Sequence, residues 1–183
     1  MKNLTYEQAR NYIEDGDVLF MRKGNSFWSK LIRLVTGSDV YHCGIAFWVR
    51  DPVYKSRLFV VEAHAGGRRI VSLSTYANQP MDVLASTVPW EQYCDDLLSN
   101  TGRVPYSLLE FLWIGAIELF GIRRHTDDLG EVCSKMVALH FQRAGLDLET
   151  DVSPGRLREI LLNLNFQHKF SIIADDTVNQ PTT

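Results

Sequence analysis

The sequence predicts an α+β fold in which a central antiparallel sheet is flanked by helices. Strand patterns cluster in the first half of the chain and helix patterns lie at both ends, a segregation typical of α+β proteins. The strongest helix pattern covers residues 131–145, where apolar side chains recur at helical spacing. Strand patterns, which are short apolar runs bounded by turn residues, cover 18–21, 41–49, 57–64, 68–73, 81–84 and 170–173.

Length and composition indicate one ordinary globular domain. The 183 residues are 45% hydrophobic and 22% charged, values typical of a protein with a substantial core. We expect this domain to cover residues 1–174 and residues 175–183 to form a polar, mobile tail. A net charge of −3 carries no signature of nucleic-acid or anionic-membrane binding, so no nucleic-acid partner is expected.

Cysteine usage and apolar runs restrict the cofactors and the location. Cys43, Cys94 and Cys133 are odd in number and widely spaced, which fits neither a disulfide framework nor a zinc site, so no metal and no cofactor are expected. The first residues lack the apolar run of a signal peptide. The longest apolar run, 108–122, is short for a membrane span and contains two glutamates, so we expect no transmembrane segment. These features predict a cytoplasmic protein, or a virion-associated one if the chain is phage-encoded.

Caps and turns predict the N-terminal elements. Residues 5–14 begin with a capping box, Thr followed three residues later by Gln, and are predicted to be helical. A turn at 15–17 leads into the first strand. An amphipathic helix is predicted at 26–35, and its cations form a basic patch with those of residues 22–23. Such a patch is ordinarily a solvated face.

Further helices are predicted in the second half of the chain. A helix is predicted at 88–98, where a proline at 89 lies in its first turn, and an apolar helix is predicted at about 107–122. A polar loop at 123–130 precedes the helix at 131–145. A Ser-Pro pair at 153–154 is the cap and first position of a helix that continues to 164.

Cys133 lies in the first turn of the helix predicted at 131–145. Unpaired backbone amides at a helix start carry about half a positive charge, which favours a thiolate and lowers the pKa of a thiol. A cysteine in this position can act as a nucleophile if a base is near. The alternative is a small buried hydrophobic residue, which is the commoner role of a single helical cysteine.

His42 and Glu62 lie on two strands that are predicted to pair in antiparallel fashion. A turn centred near Pro52 sets His42 opposite Glu62, whereas a centre shifted by one residue sets His42 opposite His64. Either register puts a polar partner beside His42, and a carboxylate is the better orienter of an imidazole. Taken singly, His42 also fits a structural histidine bonded to a backbone carbonyl, and Glu62 fits a surface carboxylate at a strand end.

The chain resembles the permuted NlpC/p60 cysteine hydrolases of the YiiX type from about residue 15 to residue 160. Histidine comes first, carboxylate next and cysteine last, whereas ordinary papain-like enzymes have the cysteine first. Each motif is short, but their order is specific. The motifs that carry the resemblance lie at 16–20, 38–45, 60–63, 102–106, 132–137, 144–145 and 153–157.

The resemblance implies a circularly permuted papain-like fold with a Cys-His-Glu triad. Cys133 would be the nucleophile, His42 the general base and then acid, and Glu62 the residue that orients His42. Backbone amides near Cys133 would hold the oxyanion. By strand alternation Tyr41 falls on the opposite face from His42 and stays outside the triad. Cys43 replaces an aliphatic residue that is common after the histidine, and we expect it to be harmless packing.

The resemblance also implies a thiol hydrolase that cleaves amide bonds, an amidase or endopeptidase acting on peptide stems of peptidoglycan. The expected partner is a peptidoglycan fragment or another amide or acyl substrate. One alternative is a lipid thioesterase or acyltransferase, suggested by the apolar helix and the basic patch, although residues 131–135 depart from the stretch usual in that branch. Another is a non-catalytic phage or virion structural module that keeps the fold and binds a protein partner.

Overall fold

A computed structural model describes residues 2–23, 30, 33–34, 36–53, 55–64, 67–102 and 132–174. Within these ranges one mixed sheet contains seven strands in the order β1-β7-β6-β2-β3-β4-β5, and only β1 and β7 run parallel. The strands are β1 (Asn3–Leu4), β2 (Val18–Arg22), β3 (Val40–Val49), β4 (Arg57–His64), β5 (Gly67–Ser72), β6 (Met81–Ala85) and β7 (Gln167–Ile172). The α-helices are α1 (Tyr6–Ala9), α2 (Cys94–Ser99), α3 (Cys133–Arg143) and α4 (Pro154–Asn163).

The α+β class and every predicted strand are confirmed, but two predicted helices are shorter than their patterns. The capping box at Thr5 is present, yet α1 ends at Ala9 and continues only as a 3-10 turn. The helix predicted at 88–98 is a 3-10 turn at Trp90–Gln92 followed by α2. Both segments are too short to hold a helix without tertiary packing.

Several sequence predictions fall outside the described residues. The amphipathic helix at 26–35, with its basic patch, lies largely outside them, since only residues 30 and 33–34 of it are described. The apolar helix at 107–122, the polar loop at 123–130 and the tail at 175–183 lie wholly outside them.

The sheet has a hydrophobic cluster on each face, as period-two alternation requires. Along β2, Val18 and Phe20 belong to one cluster, while Leu19 and Met21 belong to the other. Helices α3 and α4 cover the first face, and α1 covers the second. Buried side chains of the first face include Phe20, Cys43, Ile45, Val61, Met136, Phe141 and Leu157.

The helix predicted around the cysteine is confirmed as α3. It begins at Cys133, and Val132, with an extended backbone, is its cap. Gly145 has φ +96°, the left-handed conformation that ends a helix at low cost when the residue is glycine. The buried side chains of α3 pack on β3 and β4, and this packing fixes the helix start against the sheet.

The first half of β3, which contains His42, differs from a regular strand in two ways. Pairing of β3 with β4 runs from Ile45–Val61 to Val49–Arg57, so the first half of β3 extends beyond this paired segment. The register of β2 with β3 shifts between Met21 and Arg22, and Arg22 pairs with Val40. This β-bulge gives the start of β3 one extra residue and breaks strict alternation there.

Candidate active site

Cys133 is the first residue of α3 and is 8% exposed. The amides of the first helical turn have no partner within a helix, so they direct partial positive charge towards this end. Neighbouring contacts hold the helix start in place, because the Ser134 hydroxyl donates to the carbonyl of Val152 and the Met136 amide donates to that of Val132. The sulfur is therefore held at a rigid, positively polarised position.

His42 lies between Cys133 and Glu62. Its Nε2 is 2.8 Å from Oε2 of Glu62, and its side chain also hydrogen-bonds Cys133. Because Nε2 faces the carboxylate, Nδ1 is the ring nitrogen left for the sulfur. The structure thus brings together the three residues that the sequence analysis selects as nucleophile, base and orienter.

The contact between His42 and Glu62 does not arise from directly opposite positions. The observed register, continued past Ile45, sets His42 against His64, which is the second of the two predicted registers. Gly44 then faces Glu62, and the carboxylate reaches His42 diagonally. A Cβ at Gly44 would lie 2.6 Å from Val60 Cγ2 and 2.7 Å from the Val61 carbonyl oxygen, so glycine allows this close approach. His64 is exposed and is not the partner of His42.

Glu62 is fully buried and is held by two residues besides His42. Arg69 places Nε 2.8 Å and Nη2 2.7 Å from Oε1, and the Tyr76 hydroxyl lies 2.8 Å from both carboxylate oxygens. Burial alone would raise the pKa of Glu62, but the hydrogen bonds and charges of His42, Tyr76 and Arg69 lower it to about 2. Glu62 is therefore a carboxylate at any ordinary pH.

The sequence analysis did not select Arg69 or Tyr76. Arg69 had a signal, because the sequence predicts strands on both sides of a Gly-Gly pair, and Glu62 and Arg69 are direct partners on β4 and β5. Tyr76 had none, since it comes from a 3-10 turn after β5 that no periodic pattern indicates.

Cys43 packs in the hydrophobic core, as the sequence analysis expects, and it also influences the pKa of Cys133. Cys43 is fully buried in the same cluster as Cys133, and hydrogen bonding by its thiol and backbone amide lowers the pKa of Cys133. Burial raises the pKa of Cys43 well above its usual range, so its S–H is retained as a donor. The bulky face of β3 therefore supplies a second thiol to the site.

The charges of the site favour a thiolate–imidazolium pair. The hydrogen bond from the Cys43 thiol, followed by the charge and hydrogen bond of His42, holds the pKa of Cys133 well below its usual range despite burial. Burial opposes a charged imidazole, yet Cys133 and then Glu62 raise the pKa of His42 to about 10. At neutral pH the sulfur is thus a nucleophile and the ring carries the proton that a leaving group needs.

Tyr41 is on the same side as His42, which corrects the prediction from alternation. Their ring centroids are 6.2 Å apart at an interplanar angle of 25°, and Tyr41 donates a hydrogen bond to Gln79. The bulge at the start of β3 is the physical reason, since it inserts a residue before His42. Burial, with the charges of Glu62 and Cys133, raises the pKa of Tyr41 to about 12, so its hydroxyl stays neutral.

Comparison with known proteins adds information on the fold. No protein-family model matches the chain, and no curated protein matches it. Among solved structures it is similar to the metalloprotein YiiX from Escherichia coli O157:H7, described as DUF1105. The two share 21% sequence identity over 93% of each chain, with a TM-score of 0.51. The chain has a YiiX-like fold.

At 21% identity the likeness to YiiX concerns the fold alone. The likeness extends over nearly the whole chain, whose described residues form a mixed sheet with a few helices. A separate observation concerns membranes: in the described ranges no helix has the length and apolar character that crossing a bilayer requires.

Proposed function

We propose that this protein is a thiol hydrolase that cleaves amide bonds with Cys133 as nucleophile. One observation carries the proposal: a cysteine at a helix start contacts a histidine whose other ring nitrogen is held by a buried carboxylate. Nucleophile, base and orienter in this order are the parts that covalent acyl transfer requires. The YiiX-like fold and the resemblance to permuted NlpC/p60 hydrolases are consistent with it.

The reaction follows from the charges of the three side chains. The Cys133 thiolate attacks the carbonyl carbon, and backbone amides in the first turn of α3 donate hydrogen bonds to the developing oxyanion. His42, protonated at rest, gives its proton to the leaving amine as the C–N bond breaks, which leaves a thioester. His42 then takes a proton from water, and the resulting hydroxide attacks the thioester carbon. The C–S bond breaks, which releases the carboxylic acid product and restores the Cys133 thiolate. Glu62 keeps the ring oriented and favours its charged form throughout.

We propose peptide stems of peptidoglycan as the substrate, and this part of the proposal comes from the family resemblance. A cytoplasmic protein would act on recycled wall fragments, whereas a virion-borne one would act on the wall itself. The two rival functions, a lipid thioesterase or acyltransferase and a non-catalytic virion module, are outcomes that the experiment below distinguishes.

The description of YiiX as a metalloprotein suggests a metal-dependent alternative, which the residues here do not fit. Among the described residues no group of three or more His, Cys, Asp and Glu side chains is arranged to hold a metal ion. At the candidate active site, the oxygens of Glu62 already bond Arg69, Tyr76 and His42. The proposed reaction therefore uses the three side chains alone.

The test is hydrolysis of purified muropeptides, followed by mass spectrometry of the new amine and acid ends. Cys133→Ala should fold with little change in stability, because one small side chain is lost at a helix start, and it should form no product. Cys94→Ala is the matched control, since Cys94 lies on α2 and contacts Asp95 instead of the site. Wild-type cleavage by Cys133→Ala would overturn the proposal.

Two further outcomes would assign the rival functions. Release of acyl chains from lipid thioesters, dependent on Cys133 and without muropeptide cleavage, would identify the lipid branch. Failure of a thiol-reactive substrate analogue to label Cys133 in the folded protein would identify a non-catalytic module.

A further inference from the structure

A second cavity lies on the face of the sheet that α1 covers. Its volume is about 280 Å³. Its walls come from the first helical segment, the start of β4, the end of β5 and the 3-10 turn that follows β5. The lining residues are Tyr6, Arg10, Arg57, Leu58, Ser72 and Ser74.

This cavity is separate from the candidate active site. Phe59 pairs with Ser72 beside the cavity, whereas Glu62 pairs with Arg69 at the site. The two pairs are three residues apart along both strands, which is about 10 Å. The cavity is therefore not used by the chemistry proposed for Cys133.

The cavity is lined by groups that carry positive charge or donate hydrogen bonds. Arg10 and Arg57 contribute two guanidinium groups, three other residues contribute hydroxyls, and none of the described lining residues is acidic. Glu7 lies 3.8 Å from Arg10, but its side chain is 77% exposed, so this surface pair offsets little of the charge. Arg57 forms no ion pair with any residue that the structure describes. The positive charge of the cavity thus lacks an internal counter-ion.

Tyr6 is a buried donor without an acceptor. It is only 4% exposed, yet its hydroxyl has no hydrogen-bond partner among the described residues. Buried hydroxyls are nearly always paired, so such a group indicates a missing partner. Burial is the main cause that raises the pKa of Tyr6, so its hydroxyl keeps its proton and remains a donor. Within the described part of the chain, Nε of Arg10 is also buried and without a hydrogen bond.

Aromatic rings hold the guanidinium group of Arg10 in place. Its Cζ lies 6.0 Å from the ring centroid of Tyr6 and 5.9 Å from that of Trp48. Contacts of this kind are attractive and restrict a long side chain. The cation is thus positioned before any ligand arrives, which reduces the entropy that binding costs.

We propose that this cavity binds a phosphomonoester, to whose oxygens Arg10, Arg57 and Tyr6 donate hydrogen bonds. A phosphomonoester carries a charge of about −1.5 to −2 and three strong acceptor oxygens. A carboxylate has one charge and two oxygens, so it would leave more of these donors unpaired. Guanidinium groups match the geometry of phosphate oxygens. Ser72 and Ser74 share one hydrogen bond of 2.9 Å between their hydroxyls, which leaves one hydroxyl hydrogen of the pair for the ligand.

The experiment titrates the ¹⁵N-labelled full-length protein with phenyl phosphate and follows the NMR signals of backbone amides and indoles. Signals of the lining residues and of the Trp48 indole should shift, while the Cys133 amide should not. Arg57→Gln should weaken binding about tenfold or more, since a charge-assisted hydrogen bond is lost from an exposed side chain. Tyr6→Phe, which removes only the hydroxyl, should weaken it about three- to tenfold.

Arg156→Gln is the matched control. Arg156 is an exposed arginine that pairs with Glu159 on α4, which packs on the other face of the sheet. This variant should bind phenyl phosphate as wild type does. Cys133→Ala should also bind it normally, so that a failure of the hydrolase proposal and a failure of this one are distinguishable.

Three results would overturn the inference. Phenyl phosphate would shift no signal of the lining residues, or Arg57→Gln would bind it as tightly as wild type, or benzoate would bind as tightly as phenyl phosphate. The last result would mean that the cavity does not distinguish a phosphomonoester from a carboxylate. Because every readout is a binding shift, the outcome does not depend on any hydrolytic activity.

Discussion

Replacing Glu62 by Gln tests whether the buried carboxylate sets the charge of His42. Glutamine keeps the shape and still accepts a hydrogen bond from Arg69, but it removes the negative charge beside Nε2. The pKa of His42 is about 10, against an ordinary value of 6.5, and Cys133 and Glu62 together raise it. One opposite charge at hydrogen-bond distance moves a pKa by about 1–3. We expect Glu62→Gln to lower the pKa of His42 by about 1–2, which corresponds to about 1.4–2.7 kcal/mol of imidazolium stabilisation.

The sign of this effect is visible in the pH dependence of hydrolysis. The imidazolium that protonates the leaving amine is present below the pKa of His42 and is lost as pH rises through it. The alkaline limb of the pH–rate profile, near pH 10 in wild type, should therefore move to lower pH in Glu62→Gln. Titration of the His42 ring by NMR, assigned by its absence from His42→Ala, measures the same pKa without a substrate.

A control separates this effect from any loss of a carboxylate. Glu7 is an exposed carboxylate that pairs with Arg10 on the first helical segment. Glu7→Gln should therefore leave both the alkaline limb of hydrolysis and the NMR titration of His42 unchanged. If Glu62→Gln folds and both quantities stay at their wild-type positions, the role given to Glu62 is wrong.

Three further predictions concern stability and thiol reactivity. Because the pKa of Glu62 is about 2 in the folded protein against 4.5 ordinarily, its stabilisation is complete above pH 4.5 and is lost as pH falls towards 2. Urea unfolding should show this as about 3 kcal/mol that Glu62→Gln lacks. Cys43→Ala should raise the thiol pKa of Cys133 in the pH dependence of iodoacetamide labelling, while Cys43→Ser, which keeps a donor, should restore it; equal profiles would contradict the hydrogen bond. Gly44→Ala should destabilise the fold by about 1–3 kcal/mol, because its Cβ meets backbone and Val60, and a wild-type melting temperature would refute that contact.

Local patterns predicted most of the described elements, because periodicity and helix caps depend on residues that are close in sequence, whereas the three site residues were selected from strand pairing, the helix start and the family resemblance. The helix at Cys133 and its glycine stop needed only neighbours along the chain. The position of Tyr41 was missed because a bulge depends on the partner strand, whose register no single-strand pattern contains. Register alone would have selected His64, which the observed pairing sets opposite His42; Glu62 was preferred because a carboxylate orients an imidazole better, and Glu62 is the residue that contacts His42.

The contacts that tune the site were the hardest to predict. Cys43 appears in sequence as one more apolar position of β3, and only the placement of α3 on that face turns it into a hydrogen-bond donor. Tyr76 likewise reaches Glu62 from a turn that carries no periodic signal. Both cases require the tertiary packing of segments far apart in the chain.

The distribution of the site over the chain makes the reactivity of Cys133 conditional on folding. His42 and Glu62 belong to one pair of neighbouring strands, while Cys133 begins a helix that follows them much later in sequence. In an unfolded chain that thiol has its ordinary pKa of about 9, so at neutral pH it is almost entirely protonated. The activated sulfur therefore exists only after α3 docks on β3. In a newly synthesised or damaged copy of the protein, Cys133 therefore remains a protonated, weakly nucleophilic thiol until native packing is complete.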